Sequence, residues 1–137
     1  MSDTLSDRLQ LTYRPDLDIL VGRWTRQPEV SMLPAIYDHL TQTALNCGAH
    51  FWLQDIRRRT FNDPTTTDWL LTTYFPEVSR RLGGRLHVAY LVGPGLMHHL
   101  LSGPWFLPPE AYHDKPFNVA FFGDEGEAVA WLHRQRQ

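Results

Sequence analysis

Residues 85–92 read Arg-Leu-His-Val-Ala-Tyr-Leu-Val, set between Gly83-Gly84 and Gly93-Pro94-Gly95. From Leu86 to Val92 this is the longest apolar stretch of the chain, interrupted only by His87. It falls far short of the roughly 20 residues a membrane span requires. A short apolar run closed at both ends by turn formers reads as a strand buried on both faces. Strands of that kind belong to parallel sheets covered by helices.

Two further runs share this character. His50 to Ile56 (HFWLQDI) and Phe117 to Phe122 (FNVAFF) are short, apolar and bounded by polar or glycine-containing segments. Between the strands the period changes. Leu33, Ile36, Leu40, Ala44 and Cys47 follow helical spacing, as do Leu71, Phe75, Val78 and Leu82. The first set predicts a helix within Pro28–Asn46, with Ser31 as N-cap, Pro34 in the first turn and Gly48 after the last. The second predicts a helix over Asp68–Leu82 with a loop, Thr60–Thr67, before it. Pro76 lies inside that helix and removes the N–H that would bond the Thr72 carbonyl, so a kink or two helical pieces is expected there. A short helix with Leu96, Met97, Leu100 and Leu101 fits Gly93–Gly103. Pro104–Pro116, with its four prolines, reads as a loop. Asp124 precedes Glu127 by three residues, a capping pattern that opens a closing helix with Ala128, Trp131 and Leu132 inward.

At the other end, Leu9–Tyr13 and Ile19–Trp24 flank the turn-rich Arg14-Pro15-Asp16-Leu17-Asp18, a β-hairpin. The order is therefore β-β-α-β-α-β-α-β-α. It predicts an α/β fold: a mixed sheet of about five strands, an N-terminal hairpin followed by β-α units, with covering helices. All 137 residues form one domain in this reading, with residues 1–8 as a flexible lead.

Several residues carry a family resemblance. They are the hairpin ending in Trp24, the Asp55-Ile56-Arg57 exit from a strand, Asp68-Trp69 with Phe75-Pro76, the Gly84 to Ala89 strand entry, and Phe122 and Asp124 before Ala128 and Trp131-Leu132. In these the chain resembles STAS domains, the fold of anti-sigma-factor antagonists, and in particular small stand-alone bacterial STAS-like proteins. The resemblance implies a non-catalytic interaction module. Signalling members of that family carry a phosphorylated Asp-Ser pair where this chain has Asp63-Pro64, so the phosphoswitch is not implied. The hydroxyls of Thr65, Thr66 and Thr67 lie out of register with it.

Composition narrows function further. The net charge of -2 lacks the basic excess of a nucleic-acid binder. A single cysteine, Cys47, leaves no disulfide framework, and its place on an apolar helix face favours packing over nucleophilic chemistry. The N-terminal MSDTLSDRLQ has no apolar leader core, so a cytoplasmic protein without membrane insertion is expected. No phosphate loop, dinucleotide fingerprint, nucleophile elbow or His-Glu-x-x-His motif occurs. His98 and His99 are adjacent and diverge on a helix, so they share no ligand face. No metal or cofactor is expected. An unrecognised enzyme would have to bring His50, His87 or His113 onto an acidic residue in a cleft.

The candidate site runs from Asp55 to Asp68. Asp55, Arg57 and Arg58 leave a strand at its carboxyl end, where open α/β sheets take ligands. Thr65 lies near the next helix start, where free N–H groups favour anions. The run Arg57-Arg58-Arg59 also reads as solvated, with Asp55 as its ion-pair partner. Trp69 lies off the Leu71 face and is expected to point outward. Trp105 and Phe106 form a second apolar segment in the Pro-rich loop. Exposed tryptophan marks interfaces. The expected function is a regulatory protein-contact module, acting as a homodimer with an unidentified protein partner. The alternative is a small-ligand binder for an anion or a lipid-like molecule.

Overall fold

The computed structural model describes residues 8–59, 64–102 and 109–136. Strands β1 (Leu9–Arg14), β2 (Ile19–Trp24), β3 (Phe51–Asp55), β4 (Leu86–Leu91) and β5 (Phe117–Phe122) form one sheet in sequential order. β1 and β2 pair antiparallel, and every later pair is parallel. The α/β fold and the mixed five-stranded sheet are those expected from the sequence.

All six residues of β4 are buried. Leu86, Val88 and Tyr90 enter a large core, while Ala89 and Leu91 enter a smaller one on the reverse face. The large core is covered by α1 (Leu33–Cys47), by the helix that crosses from β3 to β4, and by α4 (Pro94–Ser102) through Leu96. The small core takes Ile19, Val21 and Leu53 from the sheet and Ala128 and Leu132 from α5 (Glu125–Gln135). So, among the described residues, the parallel crossovers pack on one face and the closing helix covers the other.

Helix ends follow local chemistry, with one correction. The α1 start lacks the Ser31 side-chain cap. Instead a 3-10 turn over Val30–Met32 precedes it, in which the Met32 N–H donates to Glu29 O and the Leu33 N–H to Val30 O. Backbone donors are thereby satisfied without a hydroxyl. Pro34 lies in the first turn. Gly48 and Gly83 close their helices in the left-handed region, at φ 64° and 80°. At α5 the Asp124 carboxylate accepts from the Glu127 N–H at 2.9 Å, as the capping pattern predicts.

The crossing helix shows what Pro76 does. It runs as α2 (Pro64–Trp69), a π turn over Leu70–Tyr74, and α3 (Phe75–Leu82). The Phe75 N–H reaches back to Leu70 O, five residues away, just before the proline. One extra residue in that turn relieves the clash a proline ring has with the carbonyl four residues back. It also moves the buried face. Leu70 and Tyr74 are buried before the shift and Phe75 and Val78 after it, while Leu71, expected inside, is half-buried. The helix begins at Pro64, four residues earlier than expected, because proline at a first helical position loses no bond. The Pro-rich segment also holds more structure than a loop: Pro109–Tyr112 form a 3-10 turn and Tyr112 is fully buried.

On the small-core side His87 stacks on Phe51, with ring centroids 5.1 Å apart and planes 7° from parallel. Burial, then the Arg85 and His50 charges, push its pKa down to about 4. The folded chain therefore refuses a proton that the unfolded chain accepts near 6.5. Stability is complete above that value and falls as pH drops from 6.5 towards 4. The expected slope approaches about 1.4 kcal/mol per pH unit for one proton. Urea titrations across this window measure it. His87→Phe keeps the stack and is expected to flatten the profile. An unchanged slope in that variant would show that another group is responsible.

Candidate functional site

The parallel strands β2 to β5 end at one edge of the sheet, and Asp55 is the last residue of β3. It pairs in register with Arg23 on β2. Asp55 is only 7% exposed and its two oxygens are fully engaged. Oδ1 accepts from the Arg57 backbone N–H at 3.1 Å and from Arg57 Nε at 3.0 Å. Oδ2 accepts from an Arg57 terminal nitrogen at 2.8 Å and from Arg23 at 2.9 Å. The same Arg23 nitrogen donates to Glu125, the first residue of α5, at 2.9 Å. One guanidinium thus ties β2, β3 and α5 together. Burial raises the Asp55 pKa, but the Arg57 and Arg23 hydrogen bonds outweigh it and hold the carboxyl below its usual value.

These groups line a cleft of about 680 Å³, together with Gln10, Trp24, Thr25 and Arg58. Three arginines face two carboxylates there, so the lining carries a net positive charge. The three consecutive arginines have different roles. Arg57 is half-exposed and clamps Asp55. Arg58 is exposed and lines the cleft. Arg59 is buried, its guanidinium 4.7 Å above the Trp24 ring, which corrects the reading of all three as solvated.

An aromatic chain leads away from the cleft. Trp24 and Tyr37 lie 5.5 Å apart, and Tyr37 meets the edge of Trp69 at 5.5 Å. Trp69 also rests 5.0 Å from Tyr74. Tyr74 is fixed in turn by the Thr41 hydroxyl at 2.8 Å and by donating to Tyr37 O at 3.2 Å. Burial raises the pKa of Tyr37, Tyr74 and Tyr90, so all three remain protonated. Trp69 is nonetheless 37% exposed, the outward position expected of it, although the Leu71 face from which that was argued is not the buried one. The other exposed large apolar side chain among the described residues is Val30, in the turn that enters α1.

The structure therefore brings Asp55, Arg57 and Arg58 together. Thr65 is exposed but lies off the cleft, while Thr66 and Thr67 are buried. Trp105 and Phe106 lie outside the described residues. Arg23 and Glu125 are the members that sequence reasoning missed. Arg23 had a signal, being the one charged residue of the otherwise apolar ILVGRW strand. Glu125 had none beyond its helix-start position. His50 and His87 are neighbours, the His87 N–H donating to His50 O at 2.8 Å, but His113 is exposed. Among the described residues no three His, Cys, Asp or Glu side chains form a metal-binding group, and no helix is long and apolar enough to cross a membrane.

No protein-family model matches the chain, and no curated protein matches it.

Asp55 joins β3 to β2 and to the Arg57 turn through charge-assisted bonds, so Asp55→Asn is expected to cost about 2 kcal/mol in urea unfolding at pH 7. It also releases Arg57 and leaves Arg23 held by Glu125 alone. Sulfate titrated calorimetrically is then expected to bind the variant more tightly than the native chain. Equal sulfate affinity would show that Asp55 does not hold these arginines in check.

Proposed function

We propose that this chain is a non-catalytic, STAS-like module of the cytoplasm that works as a homodimer and contacts a protein partner through the carboxyl edge of its sheet. Trp69 carries the reading. It is a large apolar side chain left over one-third exposed while its ring packs on the Tyr37–Tyr74 pair. A rigid tryptophan loses little entropy on contact and buries much area, which is why tryptophan and arginine dominate binding hot spots. Arg57 and Arg58 supply the second element on the loop leading to the same helix. The opening antiparallel hairpin and the parallel β-α steps after it support the STAS-like assignment of the module.

Arg58 favours a second reading of the adjacent cleft, as a site for a small anion. It adds a cation to a lining whose other arginines already hold carboxylates.

A photo-crosslinking amino acid at position 69 tests the contact in living cells. The expected result is one discrete adduct that disappears when Arg58→Glu is added. The same probe at Thr72, also exposed but off the tyrosine contacts, is expected to give none. Equal labelling from both positions, or an adduct insensitive to Arg58, would overturn the assignment.

A further inference from the structure

β1 is an outermost strand of the sheet, and its geometry identifies what can pair with it. It matches β2 residue for residue from Leu9↔Trp24 to Arg14↔Ile19, with no bulge. It contains no proline, glycine or lysine. Proteins normally blunt an edge with such residues, because an unpaired ladder invites a further strand. The Thr25 N–H donates to Arg8 O at 3.0 Å, in the same register as the strand pairs. Hydrogen-bonded pairs alternate along an antiparallel ladder. Gln10, Thr12 and Arg14 therefore turn their backbone groups towards β2. Leu9, Leu11 and Tyr13 turn theirs outward.

We infer that the outer edge of β1 pairs antiparallel with β1 of a second copy, about a two-fold axis at Thr12, joining two five-stranded sheets into one of ten. A two-fold axis normal to the sheet keeps each side chain on its own face, so only residues of equal parity pair. Centring on Leu11 would use the outward groups of Leu9, which is fully buried. Centring on Tyr13 would set Leu11 against Pro15, which has no N–H. Centring on Thr12 pairs Leu11 with Tyr13 twice, making four backbone hydrogen bonds. It opposes Thr12 to Thr12 and Gln10 to Arg14, with no like charges facing. Leu11 and Tyr13 are half-buried on one face, and Gln10, Thr12 and Arg14 are exposed on the other. Each face of the joined edge thus meets its own kind. This self-complementarity favours a second copy over an unrelated strand.

The inference rests on the homodimer part of the proposed function and names its surface, distinct from that of Trp69. Light scattering and sedimentation of the full chain read the assembly. Thr12→Lys places two ammonium groups face to face on an exposed site and is expected to weaken the dimer by about tenfold with unchanged far-UV circular dichroism. In a Cys47→Ser background, Thr12→Cys brings two thiols opposite each other in a non-hydrogen-bonded pair, with Cα atoms about 4.5 Å apart, within disulfide reach. Oxidised glutathione is expected to link this variant into a covalent dimer and to leave Gln10→Cys unlinked. A native chain that stays monomeric overturns both the dimer and its surface. A dimer that Thr12→Lys leaves intact, that Trp69→Ala breaks, or that does not link through position 12 overturns the surface alone.

Discussion

Strand β4 has no polar face. Its six residues are buried on both sides, so the sheet around it must be covered on both sides. Burial of apolar area at roughly 25 cal/mol per Å² makes leaving either face open costly. The coverage is unequal. Among the described residues the crossovers pack α1, α3 and α4 against one face, and α5 is the one helix on the other. The small reverse core therefore depends on one helix, and that helix depends on its anchors. Asp124 caps its first turn and Glu125 takes the Arg23 guanidinium at its base. At its far end Gln135 accepts from Asn118, and Arg136 donates to the Leu17 and Asp18 carbonyls.

The Arg23–Asp55–Glu125 arrangement thus has a structural role as well as a place in the cleft. A carboxylate with about a tenth of its side chain exposed is tolerated because four donors meet it. The same saturation limits its chemistry, since an anion entering the cleft competes with Asp55 for Arg57 and with two carboxylates for Arg23. Arg58, also in the cleft lining, is exposed, and so is part of the Trp69 ring.

Legibility differed by residue. The alternation of apolar strands and 3.6-period helices revealed every strand and the covering helices, because burial imposes those periods directly. Pro76 announced a break but not its form. A π turn shifts the helical register by a residue, and period counting then selects Leu71 where Leu70 is inside. Thr65–Thr67 read as loop because hydroxyls favour caps and turns. Thr66 and Thr67 are buried in the first helical turns, where tertiary packing overrides that preference. In the candidate site, Asp55, Arg57 and Arg58 are neighbours in sequence and were found together. Arg23 and Glu125 lie 32 and 102 residues from their partners in that network. Only the register of β2 on β3 and the return of α5 place them there.

What the chain determined by itself is its class and its order: a hairpin, then strands too apolar to face water, then helices of matching period. Each of these follows from local spacing and the burial it demands. The tertiary structure decided how these parts meet at the edges. It brought Arg23 and Glu125 together beside Asp55, turned Arg59 inward onto Trp24, and set Trp69 at the surface against a pair of tyrosines. Which backbone groups of β1 face outward was likewise settled by its pairing with β2. The physical reason is common to all of these: they are contacts between distant segments, and sequence spacing carries no information about which distant faces come into register.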